Sequence, residues 1–137
     1  MAEGLMRKKL YELGKYEIDV ASAGIRALAG MPPTDETIEV MNEEGVDIST
    51  VRSKNLTRDV IKSADLILVM EPFHKEAVLD MMPEAAPKTC LLKEYMNPSK
   101  ILPNGFSIHD PIGQPVEEYR TCLGNINNEI ERIAKLV

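Results

Sequence analysis

The chain has 137 residues, and 16 Lys+Arg against 22 Asp+Glu leave a formal charge of −6. That length suits one hydrophobic core, and 44% hydrophobic residues are enough to fill it. The longest apolar run, the five residues Leu66 to Met70, is too short for a membrane span, and the acidic balance argues against a nucleic-acid surface. No basic, then apolar, then small-residue leader opens the sequence, so no secretory signal is expected. Two cysteines, Cys90 and Cys122, are too few for a disulfide framework or a structural zinc site. A reducing, cytoplasmic setting is the expectation.

Residues 2–13 are expected to form a helix, with Met6, Leu10 and Leu13 on one stripe and Gly14 as its stop. No Ser, Thr, Asp or Asn precedes Ala2 to cap it. Tyr16, Ile18 and Val20 alternate with Glu17 and Asp19, which predicts a half-buried strand running into the small residues Ala21-Ser22-Ala23-Gly24. Pro32-Pro33-Thr34 opens a helix through about Glu44, with Ile38 and Met41 inward and Gly45 as its stop. Thr57 caps a short helix carrying Val60 and Ile61. Leu66–Met70 reads as a strand buried on both faces of a parallel sheet. Pro72 suits the first position of the next helix, whose Val78, Leu79 and Met82 face inward and which Pro83 ends.

Thr89-Cys90-Leu91-Leu92 predicts a second short buried strand, and residues 96–114, with three prolines and two glycines, predict a long loop of the kind that often carries function. Val116, Tyr119, Leu123, Ile126, Ile130, Ile133 and Val137 recur at alternating spacings of three and four, an amphipathic helix to the last residue. The order α-β-α-α-β-α-β-loop-α predicts a single α/β domain over residues 1–137. It starts on a helix, whereas a right-handed crossover needs a strand before it, so the first strand of the sheet is expected to be absent from this sequence.

In their order and spacing these segments resemble the low-molecular-weight protein tyrosine phosphatase family. Met1-Ala2-Glu3-Gly4 resembles the start of that family's first helix, directly after its phosphate loop. Ser22-Ala23-Gly24 is similar to the end of its second strand, and Ser63-Ala64-Asp65 to the entry of its third. Asp110-Pro111 before the acidic, Tyr-containing last helix resembles its general-acid loop. Leu92-Lys93-Glu94-Tyr95 and Asp110-Pro111-Ile112-Gly113 are most similar to the bacterial branch, which includes protein-arginine phosphatases.

The resemblance implies a three-layer phosphotyrosine phosphatase I-like fold with a parallel sheet in the order 2-1-3-4, in which the absent strand is the central one. Such a strand buries three or four apolar side chains worth roughly 5–12 kcal/mol, comparable with the whole stability of a domain. Two outcomes are expected. Either Tyr16–Val20 pairs directly with Asp65–Met70, or a second copy fills the gap in a homodimer.

The resemblance also implies hydrolysis of phosphomonoesters through a cysteinyl-phosphate intermediate, on a phosphoprotein or phosphomonoester substrate, with no cofactor. The family's nucleophile lies in a Cys-x5-Arg loop, where backbone N–H groups and an Arg fork hold the phosphate while the thiolate attacks. Here Met96 stands six residues after Cys90 and Asn128 six after Cys122, so neither cysteine has that Arg, and no nucleophile is assigned. The chain is therefore expected to be catalytically dead.

Asp110 corresponds to the family's general acid, against the simpler reading of an Asp-Pro turn. Ser22 matches a serine that braces the phosphate loop, against a strand-end serine bonding local backbone. Tyr119 and Cys90 are expected in the core, Cys122 half-buried, His74 on the surface, and His109 in the loop beside Asp110, where it could tune that carboxyl. No His, Cys or Asp spacing implies a metal. Ile112-Gly113 replaces the aromatic wall of the tyrosine-specific relatives, which leaves phosphoarginine or another phosphomonoester open. The alternatives are a non-catalytic phospho-ligand or interaction module and, ranked below it, an arsenate reductase, whose close cysteine pair Cys90 and Cys122 do not supply.

Overall fold

The structure is a computed structural model and describes residues 1–97 and 105–137. Its longest element is the carboxy-terminal helix, Val116–Leu136, which follows α1 (Ala2–Glu12), α2 (Asp35–Glu43), α3 (Arg58–Ser63), β1 (Ile67–Val69), α4 (Pro72–Met81), a 3-10 turn (Pro83–Lys88) and β2 (Thr89–Leu91); it is α5. Residues 98–104 of the expected long loop lie outside the described residues.

The stripe on α5 was readable because its residues obey the helical period. Tyr119, Leu123, Ile126, Ile130 and Ile133 are all buried, against Leu5, Met6 and Leu10 of α1 and Val40 and Met41 of α2. Gly4 allows this closeness, since a Cβ there would stand 3.0–3.2 Å from Met41, Val46 and Ile48. Lys15 donates to the Ala134 carbonyl at 2.9 Å and also to Val137, closing the last turn of α5.

β1 and β2 pair in parallel, with Leu68 opposite Cys90. Alternation along the strands divides the interior in two. Leu68, Met70 and Leu92 pack with the α1/α2/α5 cluster, while Ile67, Val69 and Leu91 pack with Ile61 of α3 and Val78 of α4. The result is three layers, helix–sheet–helix, as expected. Thr34 and Thr57 cap α2 and α3 with their hydroxyls, and Pro72 opens α4. α1 has no side-chain cap.

Three expectations need correction. Tyr16–Val20 is not a strand, and it does not pair with β1; among the described residues the sheet has two strands. The segment is held elsewhere. Arg7 donates twice to the Val20 carbonyl, at 2.6 and 3.1 Å, and Ile18 and Val20 lean on the main cluster. Gly24 then bridges to Asn55, with Gly24 N–H donating to the Lys54 carbonyl at 2.8 Å.

The second correction concerns β1, of which only Val69 is buried while Ile67 and Leu68 are half-buried. The Val69 carbonyl accepts from Leu92 N–H at 2.8 Å, so Leu68, one residue earlier, turns its own N–H and C=O toward the opposite edge. That edge has no ladder partner among the described residues. Third, Cys90 and Cys122 exchange roles, Cys122 being buried and Cys90 half-buried. No helix among the described residues is long and apolar enough to cross a membrane.

Candidate functional site

Asp110 lies between the end of β1 and the first half of α5, in a segment without regular structure that three elements nonetheless hold. Ile108 N–H donates to the Met70 carbonyl at 2.9 Å, just past β1. The Cys122 thiol of α5 donates to the His109 carbonyl at 3.7 Å. His109 Nδ1 stands 3.1 Å from Glu71 Oε2, at the residue that caps α4. Ile108 itself is buried in the main cluster.

The Asp110 side chain is exposed, and its Oδ1 accepts from Ile112 N–H at 3.0 Å. This is the local turn that the Asp-Pro dipeptide favours. It fixes one carboxyl oxygen and leaves Oδ2 without a hydrogen bond among the described residues. The Asp-Pro turn is therefore formed, and it holds one oxygen of the carboxyl.

Ser22 is exposed, and its hydroxyl donates to Glu3 in the first turn of α1. The same turn borders Cys122. Burial lowers the Met1 amino group below its ordinary value, with Cys122 and Glu3 acting in the opposite direction. Burial pushes the Cys122 thiol up, and the nearby Asp110 carboxylate adds to that. Ser22, the amino end of α1, Cys122 and Asp110 thus form one connected neighbourhood at the carboxyl end of β1, the side on which open α/β sheets bind ligands. The backbone N–H groups of the first turn of a helix suit an anion.

Neither cysteine resembles an activated nucleophile. Cys90 on β2 is likewise pushed up, by burial first and then by Glu94. Reactive thiols are held low instead, by cations or helix amino ends. His74 was expected on the surface and is half-buried, its Nδ1 accepting from Glu71 N–H at 3.1 Å and its ring tilted on Phe73 at 4.2 Å. Glu71 was not singled out from the sequence. A Glu before Pro at a helix start signals only a cap, and its link to His109 spans 38 positions. No group of three or more His, Cys, Asp or Glu among the described residues could hold a metal.

Comparison with known proteins places this three-layer α/β domain in a family. The family described as low molecular weight phosphotyrosine protein phosphatase matches residues 1–137. A protein-arginine-phosphatase from Geobacillus stearothermophilus is 31% identical over 118 residues, 86% of this chain and 76% of the relative. The low molecular weight protein tyrosine phosphatase of T. tengcongensis superposes with a TM-score of 0.89 at 32% identity, over 99% of this chain and 88% of that one. Vibrio vulnificus Wzb in complex with benzylphosphonate gives 0.85 at 33% identity, over the same 99% and 88%. The chain belongs to the low-molecular-weight phosphotyrosine protein phosphatase family. Its curated relatives include both tyrosine and arginine phosphatases of bacteria.

Proposed function

We propose that the site around Asp110 is the acid half of a phosphomonoester hydrolysis site: when a thiolate from outside these 137 residues attacks phosphorus, Asp110 protonates the departing atom and then activates the water that cleaves the phosphoenzyme, and Ser22 braces the phosphate-binding side through Glu3 and the first turn of α1. The observation that carries this is the Asp110 carboxyl, exposed and with Oδ1 tied to Ile112 N–H, close enough to Cys122 beside the amino end of α1 to raise that thiol. Phosphotyrosine and phosphoarginine are the substrate classes. A structural relative holding benzylphosphonate supports the first, and arginine-phosphatase relatives support the second.

The 137-residue sequence contains no Cys-x5-Arg, and both its thiols are pushed up. We therefore propose that this chain by itself does not turn over. The test is hydrolysis of an aryl phosphate and of phosphoarginine by the wild type and Asp110→Asn; turnover in the wild type that Asp110→Asn abolishes refutes the second statement and upholds the first. The same two thiols favour, as a second reading, a module that binds a phosphorylated ligand without cleaving it. Isothermal titration with a phosphotyrosine peptide measures that directly. An arsenate reductase is disfavoured, since the cysteines lie on β2 and α5 and both are free.

For its quaternary state we propose a homodimer in which each copy covers the β1 edge of the other, in keeping with the outward backbone groups of Leu68. A cytoplasmic location suits two free thiols.

A further inference from the structure

We infer that Glu71 is a positioning residue for Asp110, acting through His109; the inference rests on Asp110 being the acid of the site. A carboxylate only accepts hydrogen bonds, so at 3.1 Å from Glu71 Oε2 the His109 ring must carry its proton on Nδ1. A neutral imidazole free in water favours the other tautomer. The His109 side chain is 83% exposed, whereas that of Glu71 is only 16% exposed, so the exposed ring is tied to a largely buried carboxylate.

Glu71 is fixed because it begins α4. Its carbonyl accepts from His74 N–H at 3.0 Å, and its own N–H donates to His74 Nδ1 at 3.1 Å. His74 accepting at Nδ1 is neutral, with its proton on Nε2. Glu71 thereby sets opposite tautomers on two histidines, His74 through its backbone and His109 through its carboxylate.

The consequence for Asp110 is geometric. The residue before it is tied through its side chain to α4 and through its carbonyl to the Cys122 thiol of α5. Ile108, two residues before, is tied to the Met70 carbonyl. The Asp110–Ile112 turn then starts from a backbone with little freedom, and the carboxyl it holds keeps its place. Removing the Glu71 link leaves the segment held by its backbone bonds and the buried Ile108 side chain, with no side-chain tie at His109. The turn should then open more often, with little change elsewhere.

The experiment uses the full chain and two spectroscopic readouts near pH 8, where ordinary imidazole is neutral. Long-range 1H–15N correlation reports the His109 tautomer, and hydrogen exchange reports the Ile108 and Ile112 amides. Wild type shows Nδ1–H at His109. Glu71→Ala shifts His109 toward Nε2–H and speeds exchange of the Ile112 amide about fivefold. Glu71→Gln, which still accepts, keeps Nδ1–H and stays within about twofold of wild type.

Glu71→Ala also alters the start of α4, so His109→Ala provides the independent arm. It spares the α4 cap and must speed Ile112 exchange by the same factor, with no further gain in the double variant. An unchanged tautomer in Glu71→Ala, or an Ile112 rate unmoved by His109→Ala, overturns the inference. These readouts need no turnover, so a failure here is separable from a failure of Asp110 in the hydrolysis assay.

Discussion

Asp110 and Cys122 influence each other across the gap between the loop and α5, and that coupling gives a direct prediction. Burial, then the Asp110 carboxylate, push the Cys122 thiol up. A raised thiol in the folded state adds stability below its unfolded value, and that stability is lost as pH rises through the folded value. Asp110→Asn removes one of the two causes, so Cys122 should react faster with iodoacetamide at pH 8 than in wild type. Both native thiols should react at least about tenfold more slowly than in urea-unfolded chain. Mass-resolved alkylation of Cys90 and Cys122 checks both statements.

The Asp110 turn was legible because Asp-Pro is a local signal, whereas its reading as an acid came from the resemblance of Asp110-Pro111 to the family's general-acid loop. Glu71, His74 and the Cys122–His109 contact were not legible, because each depends on packing between distant segments. The two cysteines show the same limit: an apolar strand suggested that Cys90 was buried, but it is half-buried while Cys122 is buried, because burial depends on what packs over each face rather than on the local run.

At the scale of elements, α5 organises the molecule, and its contacts set measurable costs. Ile133 is fully buried, so Ile133→Ala should destabilise the fold by about 2–5 kcal/mol in urea denaturation. Thr57→Ala removes the hydroxyl that accepts from Val60 N–H and should cost about 0.5–2 kcal/mol.

α5 is also tied to α2 by Arg120, which donates to Glu43 at 2.7 Å and contacts Glu39 and Glu117. That guanidinium holds the Glu43 carboxyl below its ordinary value of 4.5. Stability from a depressed carboxyl is present above the unfolded value and is lost as pH falls through the folded one. Arg120→Ala should therefore reduce the fall of Tm on acidification below about pH 4.5, leaving its shape above pH 6 unchanged. The helices were legible because caps and periodicity are written locally, as Thr34, Thr57, Pro72 and the α5 stripe show. Tyr16–Val20 was misread because alternation describes a strand that has a neighbour to pair with. Arg7 and the Gly24–Asn55 bridge hold this segment in another arrangement.

For the whole molecule, family membership rests on a match across residues 1–137 and on superposition over nearly the entire chain. Within that fold, the edge faced by the Leu68 backbone, which has no ladder partner among the described residues, sets the proposal of a homodimer. Sedimentation equilibrium at micromolar concentration should give twice the 15.3 kDa chain mass, and a monomer mass would contradict it. The fold is that of the low-molecular-weight phosphatase family, while no cysteine in these 137 residues has the surroundings of a nucleophile, so the chain by itself is proposed not to turn over. Steady-state hydrolysis of an aryl phosphate and of phosphoarginine tests it most directly. The account predicts release of phosphate no faster than in buffer for wild type and Asp110→Asn alike. Catalysed release by wild type that disappears in Asp110→Asn would contradict it.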